Sequence, residues 1–293
     1  MTTGTSGKKG AGTLYVVATP IGNLEDITLR ALRILKEVDL IAAEDTRHTR
    51  KLLNHFQINT PCRSYYRERE AQRTEELLTR LAAGASVALV SDAGTPGIAD
   101  PGALLVNRAR EAGFTVVPIP GPSALTTLLS VAGQTEAAHL FLGFLPARAA
   151  QRRRLLQSLR SEARPLIFYE SPRRLLKSMA DCLAVLGERR ALVGRELTKI
   201  HEEFQAGDLA ALLAELGRRP SLKGEFVVLL AGHDQTESRP ACGEDGQRDN
   251  IEELAAWYRD QAGLSLKDAA RRIAVDLDRP RSEVYRRLLD CWE

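Results

Sequence analysis

The 293-residue chain has only four cysteines, Cys62, Cys182, Cys242 and Cys291, with no CxxC or Cys/His spacing between them. That scatter excludes a disulfide framework and a zinc finger and fits a reducing cytoplasm. His48, His55 and His201 also lack ligand spacing, so no metal site is expected. No apolar run approaches the ~20 residues that a membrane helix needs. Residues 1–12 are Gly/Ser/Thr/Lys-rich without a hydrophobic stretch, which reads as a flexible tail and not a signal peptide. Neither GxGxxG nor GxxxxGK[ST] occurs, so neither a Rossmann dinucleotide site nor a P-loop is supported. A formal charge of +3 is too small to indicate a partner by itself. A soluble, intracellular protein is expected.

The composition, 44% hydrophobic and 27% charged, is that of a globular chain able to bury a core, and the length suits two domains with a small appendage. Buried-strand patterns at 13–18, 40–43, 87–90 and 115–118 alternate with helical periodicity at 25–36, 74–83, 103–112 and 125–131. Gly84 and Gly113 stop two of these helices. Such β-α alternation predicts a mostly parallel, helix-covered sheet over 13–138. Residues 139–232 repeat strand and helix signals in an order that suggests a mixed sheet, whose strand order the pattern does not fix. Residues 233–248 read as a polar linker, and 249–293 as three helices. The last two resemble a helix-turn-helix, with Arg281 and Arg286 on the final helix, or else form a plain helical hairpin.

Three Gly/Pro-rich turns follow strands, at 19–23, 91–102 and 118–123, and three such loops on one sheet edge make a composite pocket. The longest, Ser91 to Gly102, holds three glycines and two prolines, and its Asp100-Pro101 pair predicts an N-cap and first helical residue. Charge is uneven: residues 147–190 carry eleven Lys/Arg against four Asp/Glu. The helix from Arg148 with Arg152, Arg153 and Arg154 is the clearest basic cluster, suited to phosphate contacts.

These motifs together resemble a known family. The opening strand and loop, residues 14–26, are similar to those of the tetrapyrrole-methylase-like (class III) S-adenosylmethionine-dependent methyltransferases. Ala43-Glu44-Asp45-Thr46-Arg47, the 91–102 loop, Pro120-Gly121-Pro122-Ser123-Ala124, residues 168–175 and Arg195-Glu196-Leu197-Thr198-Lys199 resemble its ribosomal RNA branch, which methylates the ribose 2′-hydroxyl of cytidine 1402 in 16S rRNA. The resemblance runs from about Leu14 to Leu230 and implies a two-domain α/β fold with a C-terminal helical, helix-turn-helix-like appendage. It also implies S-adenosylmethionine as cofactor, 16S rRNA within the 30S subunit as substrate, and a homodimer.

On that resemblance the cofactor is placed against Pro20, Ser91, Asp92, Ala93, Pro122, Ser123 and Ala124, with Tyr169 and Glu170 reaching in from the second domain. Glu44, Asp45 and Glu170 lead the candidate proton acceptors, ahead of Asp100 and Glu196. Arg47, Arg173 and Lys199, with Arg152, Arg153, Arg154, Arg281 and Arg286, are the candidates for RNA phosphates. Two rival readings stay open: a class III methyltransferase acting on a tetrapyrrole or other small substrate, and a non-catalytic RNA-binding protein that keeps the fold.

Overall fold

The computed structural model describes residues 10–133, 138–233, 251–260, 264–277 and 279–292; most of the expected tail and linker lie outside these. Two compact units result, Met1–His233 and Asp234–Glu293.

The first unit opens with a five-stranded, all-parallel sheet. Its strands are β1 (Thr13–Val17), β2 (Leu40–Ala43), β3 (Cys62–Ser64), β4 (Val87–Val90) and β5 (Thr115–Ile119), in the order β3-β2-β4-β1-β5. Every residue of β2 and β4 is buried, as a sheet covered on both faces requires. Helices α1 (Leu29–Glu37) and α2 (Thr46–His55) pack Ile34, Leu35, Leu52 and Leu53 on one face; α3 (Glu70–Ala82) and α4 (Ala103–Glu111) pack Leu77, Leu81 and Leu105 on the other. The chain leaves β1 toward one face and β4 toward the other. Because β1 and β4 are neighbours, this is the switch point of the sheet, where open α/β sheets bind ligands in a crevice beyond the C-terminal strand ends.

A helix, α5 (Ala124–Val131), leads to a second sheet, and the sequence left its order open. Its strands β6 (Leu140–Phe144), β7 (Leu166–Glu170), β8 (Arg190–Arg195), β9 (Glu203–Asp208) and β10 (Phe226–Leu230) run in the order β6-β7-β10-β8-β9. Only β6 and β7 are parallel; every other pairing is antiparallel. One face carries Phe168, Phe226 and Val228 against α6 (Ala149–Ser158), α7 (Leu175–Leu186) and α8 (Leu209–Gly217). The opposite face presents Ile167, Val227 and Leu229 to Leu128 of α5 and to Ile21 of the first loop. The alternation of β7 and β10 therefore serves two cores, and the second of them joins the two sheets.

In the C-terminal unit, α9 (Ile251–Asp260), α10 (Leu266–Asp276) and α11 (Arg281–Cys291) enclose their own core, built from Leu254, Tyr258, Ile273, Val284 and Leu288 among others. Ser265 accepts from the Asp268 N–H and so caps α10. Arg281 and Arg286 are exposed on α11.

One element of the expected basic helix departs from the reading above. Arg152 is buried, 4% exposed, and is not offered to phosphates at the surface. Its Nε and Nη2 donate to Asp181 of α7 at 2.8 and 2.5 Å, and Nη1 donates to the carbonyls of Pro146 and Ala147. Arg153 shares the same carboxylate at 2.6 Å from an exposed position. The guanidinium is thus the polar centre of the α6–α7 contact. Arg152→Ala leaves Asp181 buried without its main partner and is expected to cost about 3 kcal/mol. Arg154→Ala, on the exposed side of the same helix, should stay within about 0.5 kcal/mol. Urea midpoints measure both, and equal midpoints would refute the structural role.

Candidate active site

The crevice is closed by backbone. Thr19 N donates to Gly94 O at 2.9 Å and Gly94 N returns to Thr19 O at 3.0 Å, while the Thr19 hydroxyl donates to Ser91 O. The loops after β1 and β4 are thereby tied by one short antiparallel bridge. At its far end the long loop is held by Glu70, whose Oε1 accepts from Gly102 N at 2.9 Å and from the buried Tyr65 hydroxyl at 3.2 Å. Gly102, and not Asp100, occupies the N-cap of α4. The aspartate expected to cap the helix is instead a wall of the site.

Two cavities lie on either side of this loop. The first, about 380 Å³, is lined by the loop, by Ser123 and Ala124 at the start of α5, and by Phe144, Tyr169 and Phe226 of the second sheet. It has five carboxylates, Glu44, Asp92, Asp100, Glu170 and Glu225, and no lysine or arginine in its lining. Burial, and then each other's charge, push Glu44 and Asp100 above the ordinary carboxylate range: Asp100 raises Glu44, and Asp92 raises Asp100. The aromatic side is built by an irregularity. Pairing of β6 with β7 shifts between Phe141 and Phe144, with Gly143 at φ +62°. That backbone region suits glycine, and the kink turns Phe144 toward Tyr169, with ring centroids 5.7 Å apart. The Tyr169 hydroxyl accepts from Leu125 N at 3.1 Å. The second cavity, about 480 Å³, is lined by Thr19, Pro20, Ser91 and α2.

Ser123, Ala124, Tyr169, Asp92 and Ala93 meet in the first cavity, while Pro20 and Ser91 line the second with Asp92 and Ala93 again. Pro122 lines neither; its carbonyl accepts from the Thr95 hydroxyl at 3.3 Å. Ser123 stands at the N-cap of α5 without a side-chain capping bond.

The three leading carboxylates separate by their partners. Glu170 is buried, accepts from Ser178 Oγ at 2.6 Å and from Ser171 N at 2.8 Å, and pairs with Arg174 at 3.2 Å. Asp45 caps α2, accepting from Arg47 N, and the Arg47 guanidinium holds its carboxyl down to about 2. Both carboxylates are already occupied by several donors. Glu44 is half-buried and receives only a long 3.4 Å contact from Asp92 N. Among the basic candidates, Lys199 is held by Glu196 at 2.8 Å and Glu225 at 3.0 Å, whereas Arg173 and Arg154 are exposed.

Phe144, Ile98, Glu225 and Phe226 were not foreseen as lining residues. The first depends on the bulge, and the last two on a strand order that the sequence pattern did not supply.

This is the architecture of a methyl-transfer fold, and comparison with known proteins agrees. Residues 13–213 match the family described as Tetrapyrrole (Corrin/Porphyrin) Methylases. A ribosomal RNA small subunit methyltransferase I from Synechocystis is 48% identical over 95% of this chain and 98% of that protein. One from Escherichia coli O157:H7 is 49% identical over 90% of each. Among solved structures, uroporphyrin III C-methyltransferase from Thermus thermophilus shares the fold at 19% identity and a TM-score of 0.54, covering 74% of this chain and 97% of that one. The chain belongs to the ribosomal RNA small subunit methyltransferase I family. Like other members of that family it is an enzyme with a methyl donor to hold.

The raised carboxylates of this family member carry a pH signature. A group whose proton affinity is higher in the folded state stabilises fully below its unfolded pKa, and that contribution is lost as pH rises through the folded value. Asp100→Asn should therefore make the ligand-free protein more stable at neutral pH and flatten the decline that sets in as pH rises above the ordinary aspartate value near 3.8. Denaturant titrations across that range test it; an unchanged pH dependence would remove Asp100 from the dehydrated cluster.

Proposed function

We propose that this chain transfers the methyl group of S-adenosylmethionine to the ribose 2′-hydroxyl of cytidine 1402 in 16S rRNA. The observation that carries the donor assignment is the first cavity, which gathers carboxylates and excludes Lys and Arg. A positive sulfur and an ammonium group fit such a lining, and a phosphate-bearing cofactor does not. Its volume lies within the range usual for cofactor sites. When bound, the donor supplies a methyl on a positively charged sulfur, and the C–S electron pair stays on the resulting neutral thioether.

The protein's share is placement and charge. Ser123, Ala124 and Ala93 offer a backbone-rich wall, Tyr169 and Phe144 a surface for a flat ring, and Asp92 and Asp100 the counter-charge. Holding donor and acceptor in line at near-attack distance is where most of the rate gain arises. The hydroxyl proton goes to Glu44, whose raised proton affinity and sparse partners separate it from Asp45 and Glu170. The substrate class is supported by relatives 43–49% identical that are named for small-subunit ribosomal RNA. We take the acceptor to be the rRNA within the 30S subunit, the active species to be a homodimer, and the setting to be the cytoplasm.

Tritiated-methyl transfer to 30S subunits lacking this modification, followed by mass-spectrometric mapping, should place the label on the ribose of that one cytidine. Label on a base, or none on rRNA, would refute the assignment. Glu44→Gln should lower kcat at least about a hundredfold while donor binding persists. A kcat within twofold of the unaltered enzyme would remove Glu44 as proton acceptor.

A further inference from the structure

The two cavities are sorted by charge. They share Ile21, Asp92, Ala93 and Glu225, so the start of the Ser91–Gly102 loop is the partition between them. All the basic side chains of the pair are in the second cavity: His48 and Lys51 from α2, and Lys199, which Glu196 and Glu225 already hold. Lys51 and His48 are exposed, and among the described residues no carboxylate pairs with Lys51. The whole of α2, Thr-Arg-His-Thr-Arg-Lys-Leu-Leu-Asn-His, has no acidic residue. Yet the basic helix that stands out in the sequence is α6, because α2 is interrupted by the apolar residues that seat it on the sheet.

A second observation points inward. Thr49 lines the same cavity and is 3% exposed, and its hydroxyl has no hydrogen-bond partner in the chain. A buried hydroxyl is seldom left unpaired, so a group from outside the chain is the economical explanation. Thr19 and Ser91 add polar character nearby, although their hydroxyls are spent on carbonyls of the loop.

Building on the methyltransferase reading, we infer that the second cavity is the acceptor subsite. It seats the ribose-phosphate of a single-stranded RNA nucleotide, with Lys51 and His48 at the phosphodiester and the Thr49 hydroxyl bonded to a ribose or phosphate oxygen. The geometry follows from the partition. The two cavities share Asp92 and Ala93, so an acceptor in the second would lie beside a donor held in the first. The cations stay off the donor side, where they would repel a sulfonium, and stand where a polyanion must lie. A single strand is implied because the nucleotide has to enter a cavity and not merely lie along a surface.

The test measures binding, apart from turnover. A short fluorescein-labelled single-stranded RNA is titrated into full-length protein, alone and with S-adenosylmethionine, at several salt concentrations. Thr49→Val, close to isosteric, and Lys51→Ala, on an exposed position, are compared with the unaltered chain. Lys51→Ala should weaken RNA binding about fivefold and reduce the salt slope by about one contact. Thr49→Val should weaken it about threefold without altering the salt slope, and donor affinity should stay within twofold in both. Overturning results are RNA binding unchanged in both variants, donor affinity lost with RNA binding intact, or donor and RNA excluding one another. If the unaltered protein binds RNA through Lys51 yet methylates no rRNA, the subsite stands and the proposed reaction fails.

Discussion

Everything in the first unit depends on keeping several carboxylates close together in a partly dehydrated crevice. Like charges at such separations raise one another's proton affinity, and dehydration adds to it. Glu44 and Asp100 show both effects. No cation lines the cavity itself, and the Arg67 charge acting from outside the lining offsets the effect only in part. The cost is borne by the scaffold: a parallel sheet whose strands β2 and β4 are wholly buried, with apolar clusters on both faces, and a loop fixed at both ends, by Thr19–Gly94 near its start and by Glu70 at Gly102. A site built this way is less stable empty than filled, and a cation relieves it.

The same constraint bears on the proposed division between donor and acceptor. A carboxylate-lined cavity is hostile to a polyanion, so in the proposed reaction an RNA substrate would have to meet the protein elsewhere. One loop between two cavities of opposite character meets both demands. The backbone of Asp92 and Ala93 serves as a thin wall, and α2 supplies positive charge on the far side only. Steering by charge and positioning by backbone are divided between different elements.

The strand and helix pattern of the first sheet was legible because each element is locally consistent: short β-branched runs, amphipathic helices, and glycines at helix ends. The loops were legible for a similar reason, since Gly/Pro clusters mark where chain direction changes. What local sequence does not contain is the partner. Arg152 looks like its neighbours Arg153 and Arg154, and only Asp181, 29 residues away, turns it inward. Asp100-Pro101 has the form of a helix start, but Glu70 takes the Gly102 N–H and the helix begins later. Phe144 follows from a register shift that no periodicity announces, and the second sheet's order follows from antiparallel pairings that β-α counting cannot distinguish.

The join between the two sheets shows how the crevice is kept in shape. Residues Glu196 to Lys199 turn back on the first loop, with Glu196 at φ +50° and Thr198 at φ +66°, backbone that side-chain-bearing residues seldom adopt. They approach Gly22 so closely that a Cβ there would lie 2.3 Å from Lys199 Cγ. Such conformations persist only where the surroundings over-determine them. Here the determinants are the Lys199 contacts to Glu196 and Glu225 and the packing of Leu197 beside Ile21 and Leu128. The strained turn therefore acts as a spacer: it sets how near the second sheet, with Tyr169 and Phe226, can come to the carboxylates of the first. Strain in the turn and dehydration of the acids are two consequences of one closure.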